Sequence, residues 1–300
     1  MKELIICNNI KLIKEEIHKK KIEISKRNNK EYYEIKVGFV PTMGYLHSGH
    51  ISLVERAKLE NDIVVVSIFV NPTQFNANED LSSYPSDIEN DSKLLKNVGT
   101  DLLFLPTPDI MYPKESGYST FVTVESMEQV MEGKSRPGHF RGVATIVTKL
   151  LLITTPTNLY IGQKDAMQCI CIKRLVADLN IDTNVIICNT IREDTGLAKS
   201  SRNSYLSNEE QIQASSIYKI LESFKNNINS FTDRQSFINE ITKQLEQNPL
   251  FKVEYVSIAS NITGLEIIDQ FPPPKDSNLS LALLFFAEKR KTRLIDIIIL

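Results

Sequence analysis

The stretch KVGFVPTMGYLHSGHISLVERAKLENDIVVVSIFV, residues 36–70, decides the fold. Its first part, Lys36–Pro41, is predicted to be a short buried strand because it is rich in β-branched and aromatic residues. The segment Gly49–Asn61 then has the apolar spacing of a helix. The run Ile63–Val70 is apolar without alternation, which is typical of a strand covered on both faces of a parallel sheet. A strand, a helix and a second strand in this order predict a βαβ unit.

The same alternation continues to about residue 190. Further helices are predicted over 87–98, Gly142–Ile153 and Asp165–Leu179, and further strands over Leu102–Leu105, Asn158–Ile161 and Asp182–Ile187. Residues 20–36 are polar and charged, and are predicted to form a helix end followed by an exposed loop. We therefore predict an α/β fold with a doubly wound, Rossmann-like parallel sheet over residues 1–190.

The pattern changes after about residue 191. Helices are predicted over Ser207–Asn226 and Asp233–Gln247, and strands over Phe251–Ala259, Leu281–Glu288 and Thr292–Ile299. Helices followed by strands indicate a smaller α+β domain with a mainly antiparallel sheet. The predicted domains are thus 1–190 and 191–300, and 300 residues are enough for two.

Composition narrows the class of protein. The chain is 42% hydrophobic and 24% charged, with a net charge of −2, so no basic excess favours nucleic acid as a partner. We expect no membrane segment, since the apolar runs are short and the N-terminus lacks the order of a signal peptide. Cys7, Cys169, Cys171 and Cys188 include no second pair with metal-ligand spacing, so buried reduced thiols, no protein-bound metal and a cytoplasmic location are expected.

The segment PTMGYLHSGH, Pro41–His50, lies between the first predicted strand and its helix, where open parallel sheets bind ligands. Gly44 and Gly49 allow close backbone approach, and the helix start offers free N–H groups to phosphate. His47 and His50 are three residues apart and can reach the same side. Two imidazoles there suit hydrogen bonding to charge that develops at a phosphoryl centre. A polar surface turn or a metal-binding pair is the alternative.

A second cluster, GLAKSSRN, spans Gly196–Asn203 between the predicted domains. Lys199 and Arg202 supply positive charge, and Ser200 and Ser201 supply hydroxyl donors, as expected of a loop over triphosphate. Taken alone, it is equally typical of a solvated loop. Together with H-x-G-H, it resembles the HIGH and KMSKS signatures of the nucleotidyltransferase superfamily, which makes acyl- or nucleotidyl-adenylates from ATP.

Five blocks in order narrow the resemblance. They are VGFVPTMGYLHSGH, FVNPTQF (Phe69–Phe75), RPGHFRGVATIV (Arg136–Val147), YIGQKDAMQ (Tyr160–Gln168) and IREDTGLAKSSRNSYLS (Ile191–Ser207). From about residue 37 to 207 the chain closely resembles the pantoate–β-alanine ligase (pantothenate synthetase) family, with a weaker likeness to the C-terminus. The resemblance implies ATP-dependent condensation of pantoate with β-alanine through a pantoyl-adenylate, with release of AMP and pyrophosphate.

The resemblance also implies roles for individual residues. The implied ATP-binding residues are Met43, Gly44, Tyr45, Leu46, His47, Ser48, Gly49, His50, Gly162, Gln163, Lys164, Asp165, Ile191, Lys199, Ser200, Ser201 and Arg202. The implied catalytic residues are His50, His47, Lys164, Ser201 and Arg202. Gln74 and Gln168 would hold pantoate, and Gln74 would also contact β-alanine. Lys164 would face the α-phosphate and Ile191 the adenine, although Lys164 beside Asp165 also fits a surface ion pair.

The family further implies Mg²⁺ held chiefly by ATP oxygens and water, with Asp87 and Asp91 as weaker candidates. It implies a homodimer through the N-terminal domain, which would bind nucleotide and pantoate beneath a C-terminal lid. The chain departs from the family in three places: residues 22–34 resemble an inserted surface loop, Lys199 replaces the usual methionine, and the C-terminal third has diverged most.

Three other functions share part of this pattern. A nucleotidyltransferase acting on a phosphorylated head group would share H-x-G-H but would not need the N-P-T-Q-F or R-P-G-H-F-R-G blocks. An aminoacyl-tRNA synthetase is disfavoured by the size and the neutral charge. A non-catalytic nucleotide sensor is disfavoured because His47, His50, Lys164 and Arg202 are all present.

Overall fold

The computed structural model describes residues 3–77, 79–288 and 290–300. Strands in the described residues are β1 (Ile5–Cys7), β2 (Val37–Thr42), β3 (Ile63–Ile68), β4 (Leu102–Phe104), β5 (Asn158–Gly162), β6 (Asn184–Cys188), β7 (Phe251–Ala259), β8 (Asn278–Phe286) and β9 (Lys291–Ile299). Helices there are α1 (Ile10–Asn28), α2 (Ser48–Glu60), α3 (Ile88–Asn97), α4 (Pro108–Met111), α5 (Met131–Ser135), α6 (His139–Thr154), α7 (Ala166–Asp178), α8 (Asn208–Ala214), α9 (Ser216–Asn226) and α10 (Arg234–Leu245).

The first six strands form one sheet in the order β1-β4-β3-β2-β5-β6, and every pairing in it is parallel. The chain runs outward from β2 through β3 to β4, then crosses back through α6 to β5. The direction of winding therefore reverses between β2 and β5. Such a switch point opens a crevice at the carboxyl ends of the two strands, which is where open α/β sheets bind ligands. The predicted doubly wound sheet is confirmed.

Strand β3 shows why its sequence has no apolar alternation. Ile63 and Val65 pack into a core with α1, α6 and α7, whereas Val64 and Val66 pack into a second core with α2 and α3. All four side chains are at most 1% exposed. Burial of apolar surface on both faces of the strand fixes it in the middle of the sheet.

The C-terminal part has its own core. Strands β7, β8 and β9 form an antiparallel sheet, and α9 and α10 pack against it through Leu221, Phe237, Leu281 and Phe285. The α+β organisation predicted for this region is confirmed. A domain boundary at residue 191 stays a prediction.

Two local predictions are wrong in part. Residues 22–28 are not a loop: α1 continues to Asn28, Ile24 on it is buried, and Asn29 ends it in the left-handed conformation at φ 50°. The exposed stretch covers only residues 29–34, which include a short 3-10 turn at Tyr32–Glu34, and Ile35 after it is buried. The single helix predicted over Ser207–Asn226 is broken at Ser215 into α8 and α9. Strand β1 was not predicted, because three residues carry too little pattern.

No helix among the described residues is long and apolar enough to cross a membrane. Cys7, Cys169, Cys171 and Cys188 are all free and buried, as predicted.

Candidate active site

A cavity of about 570 Å³ lies at the switch point between β2 and β5 and extends to β9 of the C-terminal sheet. Its walls include these predicted site residues: Met43, His47, Gly49, His50, Gln74, Gly162, Lys164, Asp165, Gln168, Ile191, Lys199, Ser200, Ser201 and Arg202. Of the other predicted residues, Gly44, Tyr45, Leu46, Ser48 and Gln163 do not line it. Residues far apart in sequence are therefore brought to one cavity.

The turn after β2 is held from behind by a buried carboxylate. Gly44 and Tyr45 both have left-handed backbones, at φ 85° and 52°. Asp91 on α3 is 0% exposed and accepts hydrogen bonds from the backbone N–H groups of Tyr45 at 2.8 Å and Leu46 at 2.7 Å. Burial raises the pKa of Asp91 despite these two bonds. The two bonds fix the path of the chain into α2.

His47 and His50 cap the N-terminus of α2 and cap each other. His47 Nδ1 accepts from the backbone N–H of Gly49 at 3.1 Å, and His50 Nδ1 accepts from the backbone N–H of His47 at 3.3 Å. The ring centroids are 4.0 Å apart. Since a neutral imidazole carries one proton, both rings hold it on Nε2. Each histidine therefore keeps an Nε2–H donor that the cap does not use.

Both imidazoles are held neutral. Burial is the largest cause for His47, whose pKa falls to about 2 with further contributions from His50, Lys164 and Lys199. Burial and the charge of Lys164 lower the pKa of His50 to about 4. Neutral donors beside a lysine and a helix N-terminus suit an anionic ligand.

Gln74 lies on a 3-10 turn that Asn71 organises. The Asn71 side-chain amide donates to Gln74 Oε1 at 3.0 Å and to the carbonyl of Gly142 at 3.2 Å, while its oxygen accepts from the Tyr112 hydroxyl at 2.8 Å. Helix α6 approaches this turn closely, since a Cβ on Gly142 would lie 2.4 Å from the carbonyl oxygen of Thr73. Only glycine permits that approach without a shift of the backbone.

Glu79, Arg136 and His139 form a network that supports the Gln74 turn, and no role was predicted for them from the sequence. Arg136 Nε donates to Glu79 at 2.6 Å, and Arg136 Nη1 donates to His139 Nε2 at 3.1 Å. His139 Nδ1–H donates to the Gln74 carbonyl at 2.9 Å. Burial and the Arg136 charge lower the pKa of His139 to about 4. The block R-P-G-H-F-R contains two of these residues, but its spacing gave them no role.

The segment 191–203 closes the cavity from the C-terminal side. Arg192 forms a bidentate ion pair with Asp296 on β9, at 2.7 and 2.9 Å. Ser201 Oγ donates to the Tyr45 carbonyl at 3.2 Å. These bonds tie the segment to the C-terminal sheet at one end and to the β2–α2 turn at the other.

Most cations around the cavity are balanced by carboxylates. Arg202 binds Asp80 through two hydrogen bonds of 2.9 and 3.0 Å, and Lys199 forms an ion pair with Glu193. Lys164 makes no ion pair with any residue that the structure describes; its ammonium donates to the Lys199 carbonyl at 3.4 Å. Lys164 can therefore meet an anionic ligand in the cavity without first leaving a carboxylate.

The two acids considered for Mg²⁺ are both engaged elsewhere. Asp91 holds the β2–α2 turn, and Asp87 caps α3 by accepting from the backbone N–H of Asn90 at 3.0 Å. Within the described ranges no group of three histidine, cysteine, aspartate or glutamate side chains is arranged to hold a metal ion.

A parallel sheet with paired neutral histidines at a helix start, beside Lys164 and the loop that carries Lys199 and Arg202, defines a nucleotide-binding α/β enzyme. The family model for pantoate–β-alanine ligases matches residues 8–299. The chain belongs to this family.

Three similar proteins align with 83%, 98% and 99% of this chain. The pantothenate synthetase of Thermosipho africanus (strain TCF52B) is 46% identical over 254 residues, which cover 83% of this chain and 91% of the relative. The crystal structure of pantothenate synthetase from Thermus thermophilus matches with a TM-score of 0.84 at 36% identity, covering 98% of each chain. A pantoate–β-alanine ligase from Francisella tularensis, complexed with beta-gamma ATP and β-alanine, matches with a TM-score of 0.76 at 38% identity, covering 99% of this chain and 98% of that one.

Proposed function

We propose that this chain condenses pantoate with β-alanine in an ATP-dependent reaction that passes through a pantoyl-adenylate. The observation that supports this most is the meeting of the His47–His50 cap, Lys164 and the amides of Gln74 and Gln168 in one cavity. The imidazoles of His47 and His50 and the ammonium of Lys164 match a triphosphate, and the two amides match a small hydroxy acid. Family membership supports the same substrates.

In the first step, a carboxylate oxygen of pantoate attacks the α-phosphorus of ATP, and the bond to pyrophosphate breaks. Negative charge builds on the phosphoryl oxygens and on the leaving group. The Nε2–H groups of His47 and His50 donate to this charge, and the ammonium of Lys164 faces the α-phosphate. Neutral imidazoles serve as donors here without a change of protonation state.

In the second step, the neutral amine of β-alanine attacks the acyl carbon, AMP leaves with the bridging oxygen, and the ammonium product loses a proton. Gln74 and Gln168 hold the oxygens of pantoate, since neutral amides pair with them without burying another charge. Gln74 also contacts β-alanine. The network of Asn71, Arg136 and His139 keeps the Gln74 turn in place.

The remaining ATP contacts come from the turn and the loop. The nucleotide is bordered by the cavity-lining residues of the two turns, Met43, His47, Gly49 and His50 after β2 and Gly162, Lys164 and Asp165 after β5, and Ile191 lies beside the adenine. Lys199, Ser200, Ser201 and Arg202 cover the phosphates from the C-terminal part, which acts as a lid. Mg²⁺ enters as part of the ATP substrate, bound chiefly to phosphate oxygens and water.

Two properties rest on family likeness and composition. We place the protein in the cytoplasm, in keeping with four free buried cysteines. We also assign a homodimer assembled through residues 1–190. Sedimentation equilibrium tests the dimer, and a single species of 34.1 kDa at micromolar concentration would refute it.

The proposed reaction is tested by measuring AMP, pyrophosphate and pantothenate with all three substrates. Equal amounts of the three products are expected. Omission of pantoate should abolish all of them, and omission of β-alanine should limit pyrophosphate to about one equivalent per site. Products formed without pantoate, or with ADP in place of AMP, would refute the proposal.

A further inference from the structure

The turn that starts the lid places an acid and a base against each other. The backbone N–H of Glu193 donates to the Leu197 carbonyl at 2.8 Å, and that of Lys199 donates to the Ile191 carbonyl at 2.9 Å. Arg192 and Ala198 form an antiparallel bridge between these two bonds. The turn is therefore a small, backbone-closed hairpin, and the Glu193–Lys199 ion pair joins its two arms.

Lys199 also lies beside the start of α2. A Cβ placed on Gly49 would lie 3.7 Å from the Cβ of Lys199. The ammonium of Lys164 donates to the Lys199 carbonyl at 3.4 Å. The charge of Lys199 reaches His47, where it adds to the larger effects of burial, His50 and Lys164 in lowering the imidazole pKa. Lys199 thus belongs to the group of donors proposed for the phosphates.

Glu193 holds this ammonium within its own hairpin. The Lys199 side chain is 24% exposed and that of Glu193 is 35% exposed, so the pair is neither buried nor freely solvated. The ammonium of Lys199 therefore already has a carboxylate partner before any anionic ligand enters the cavity.

We propose that Glu193 competes with the phosphates of ATP for the Lys199 ammonium and thereby sets the affinity for ATP. The inference rests on the proposed function, since it assumes that the cavity binds ATP. Polyphosphate carries more charge than one carboxylate and forms charge-assisted hydrogen bonds, so it displaces Glu193 from Lys199. Separation of the ion pair opposes binding, and Glu193 therefore weakens the affinity.

Calorimetric titration with a non-hydrolysable ATP analogue tests the competition. Glu193→Gln should tighten binding about two- to fivefold, the range of a partly exposed ion pair. Lys199→Met should weaken binding about tenfold, as expected for loss of a hydrogen bond from a charged group. The two partners of one ion pair thus give effects of opposite sign. An ion pair that only stabilises the hairpin would give effects of the same sign.

Two controls separate competition from a general change in charge. Asp194→Asn makes the same charge change at an exposed position on the same turn and should alter the affinity less than twofold. In the Lys199→Met background, Glu193→Gln should have no further effect, because the contested ammonium is gone. Thermal unfolding of each variant checks that the fold is kept.

The results separate the two levels of the account. Weaker binding in Glu193→Gln, or equal tightening by Glu193→Gln with and without Lys199, overturns the competition and leaves the proposed function intact. No binding of the analogue by the unsubstituted chain removes the proposed function itself, and the competition with it.

Discussion

At the residue scale, the two histidines show how backbone contacts set side-chain chemistry. Each Nδ1 accepts a backbone N–H at the start of α2, so each proton lies on Nε2. The H-x-G-H spacing predicted two imidazoles on one side, and the structure places their rings 4.0 Å apart. The depressed pKa values were not predictable from spacing, because they depend on burial and on Lys164, which lies more than 100 residues away in the chain.

Substitution of His50 by alanine should slow pyrophosphate release in a single turnover by about 10²-fold, the scale of losing one donor to developing charge. Quenched-flow measurement with pantoate and ATP provides the rate. His18→Ala serves as the control, since His18 bonds Tyr32 on an exposed surface and does not line the cavity. A His50→Ala rate within a few fold of the unsubstituted protein would show that this imidazole is not a catalytic donor.

Buried neutral histidines should also lower the free energy of unfolding in acid. His139 is 8% exposed, and its pKa in the folded chain is about 4 against an ordinary 6.5, so between these values only the unfolded chain takes up the proton. The free energy of unfolding should therefore fall as the pH drops from 6.5 towards 4. One pKa unit corresponds to about 1.4 kcal/mol, so the two pH units between 6.5 and 4.5 should make His139 account for roughly 2–3 kcal/mol of this loss.

Urea unfolding at several pH values measures that loss. His139→Gln retains a donor for the Gln74 carbonyl but removes the titrating group, so its stability should fall less steeply with acid. The lowered pKa values of His47 and His50 also reduce stability in acid, and both residues remain in the variant. Its free energy of unfolding should therefore still fall with pH, but less steeply. If the free energy of unfolding falls equally steeply with acid in both proteins, His139 takes up its proton at the same pH in the folded and the unfolded chain.

At the element scale, most strands and helices were predictable, whereas the anchors between elements were not. The apolar run of β3 identified a central strand because both its faces are buried. Asp91 was considered only as a weak magnesium candidate, because its role depends on the fold, which brings α3 behind the β2–α2 turn. The continuation of α1 was missed since its polar residues conceal buried Ile24.

Asp91→Asn tests whether this anchor positions the catalytic turn. Asparagine offers one acceptor oxygen and sets an NH₂ group against a backbone N–H, so stability should fall by about 1–3 kcal/mol. A displaced turn should also slow adenylate formation by tenfold or more, with a smaller effect on the KM for pantoate. Asp87→Asn is the matched control, because asparagine caps helices as well as aspartate does. Normal turnover in a destabilised Asp91→Asn would limit Asp91 to a structural role.

At the scale of the whole molecule, the two sheets and the cavity between them were foreseeable from the strand order and from five motif blocks. The ion pairs that join the parts were not, since Arg192–Asp296 and Arg202–Asp80 link residues about a hundred positions apart. Ion pairs of this kind have no local pattern in a sequence. Under the proposed function, Arg202 exchanges Asp80 for phosphate oxygens when nucleotide binds.

ATP should therefore order residues 196–203, the loop proposed to cover its phosphates. We expect slower hydrogen exchange at the amides of residues 196–203 with a saturating ATP analogue, because binding closes the C-terminal part over His47 and His50. Amides of α10, on the far side of the C-terminal core, should exchange at the same rate with and without the analogue. Unchanged protection of 196–203 would leave a static cationic loop that binds ATP without closure.

The central claim is that pantoate is activated as an adenylate. Transfer of ¹⁸O from pantoate labelled at both carboxylate oxygens tests it most directly. If a carboxylate oxygen attacks the α-phosphorus, that oxygen stays with AMP when the β-alanine amine takes the acyl group. Mass spectrometry of the products should then show one ¹⁸O in each AMP, none in pyrophosphate and one in pantothenate. Unlabelled AMP, or label in pyrophosphate or inorganic phosphate, would contradict the adenylate and the mechanism built on it.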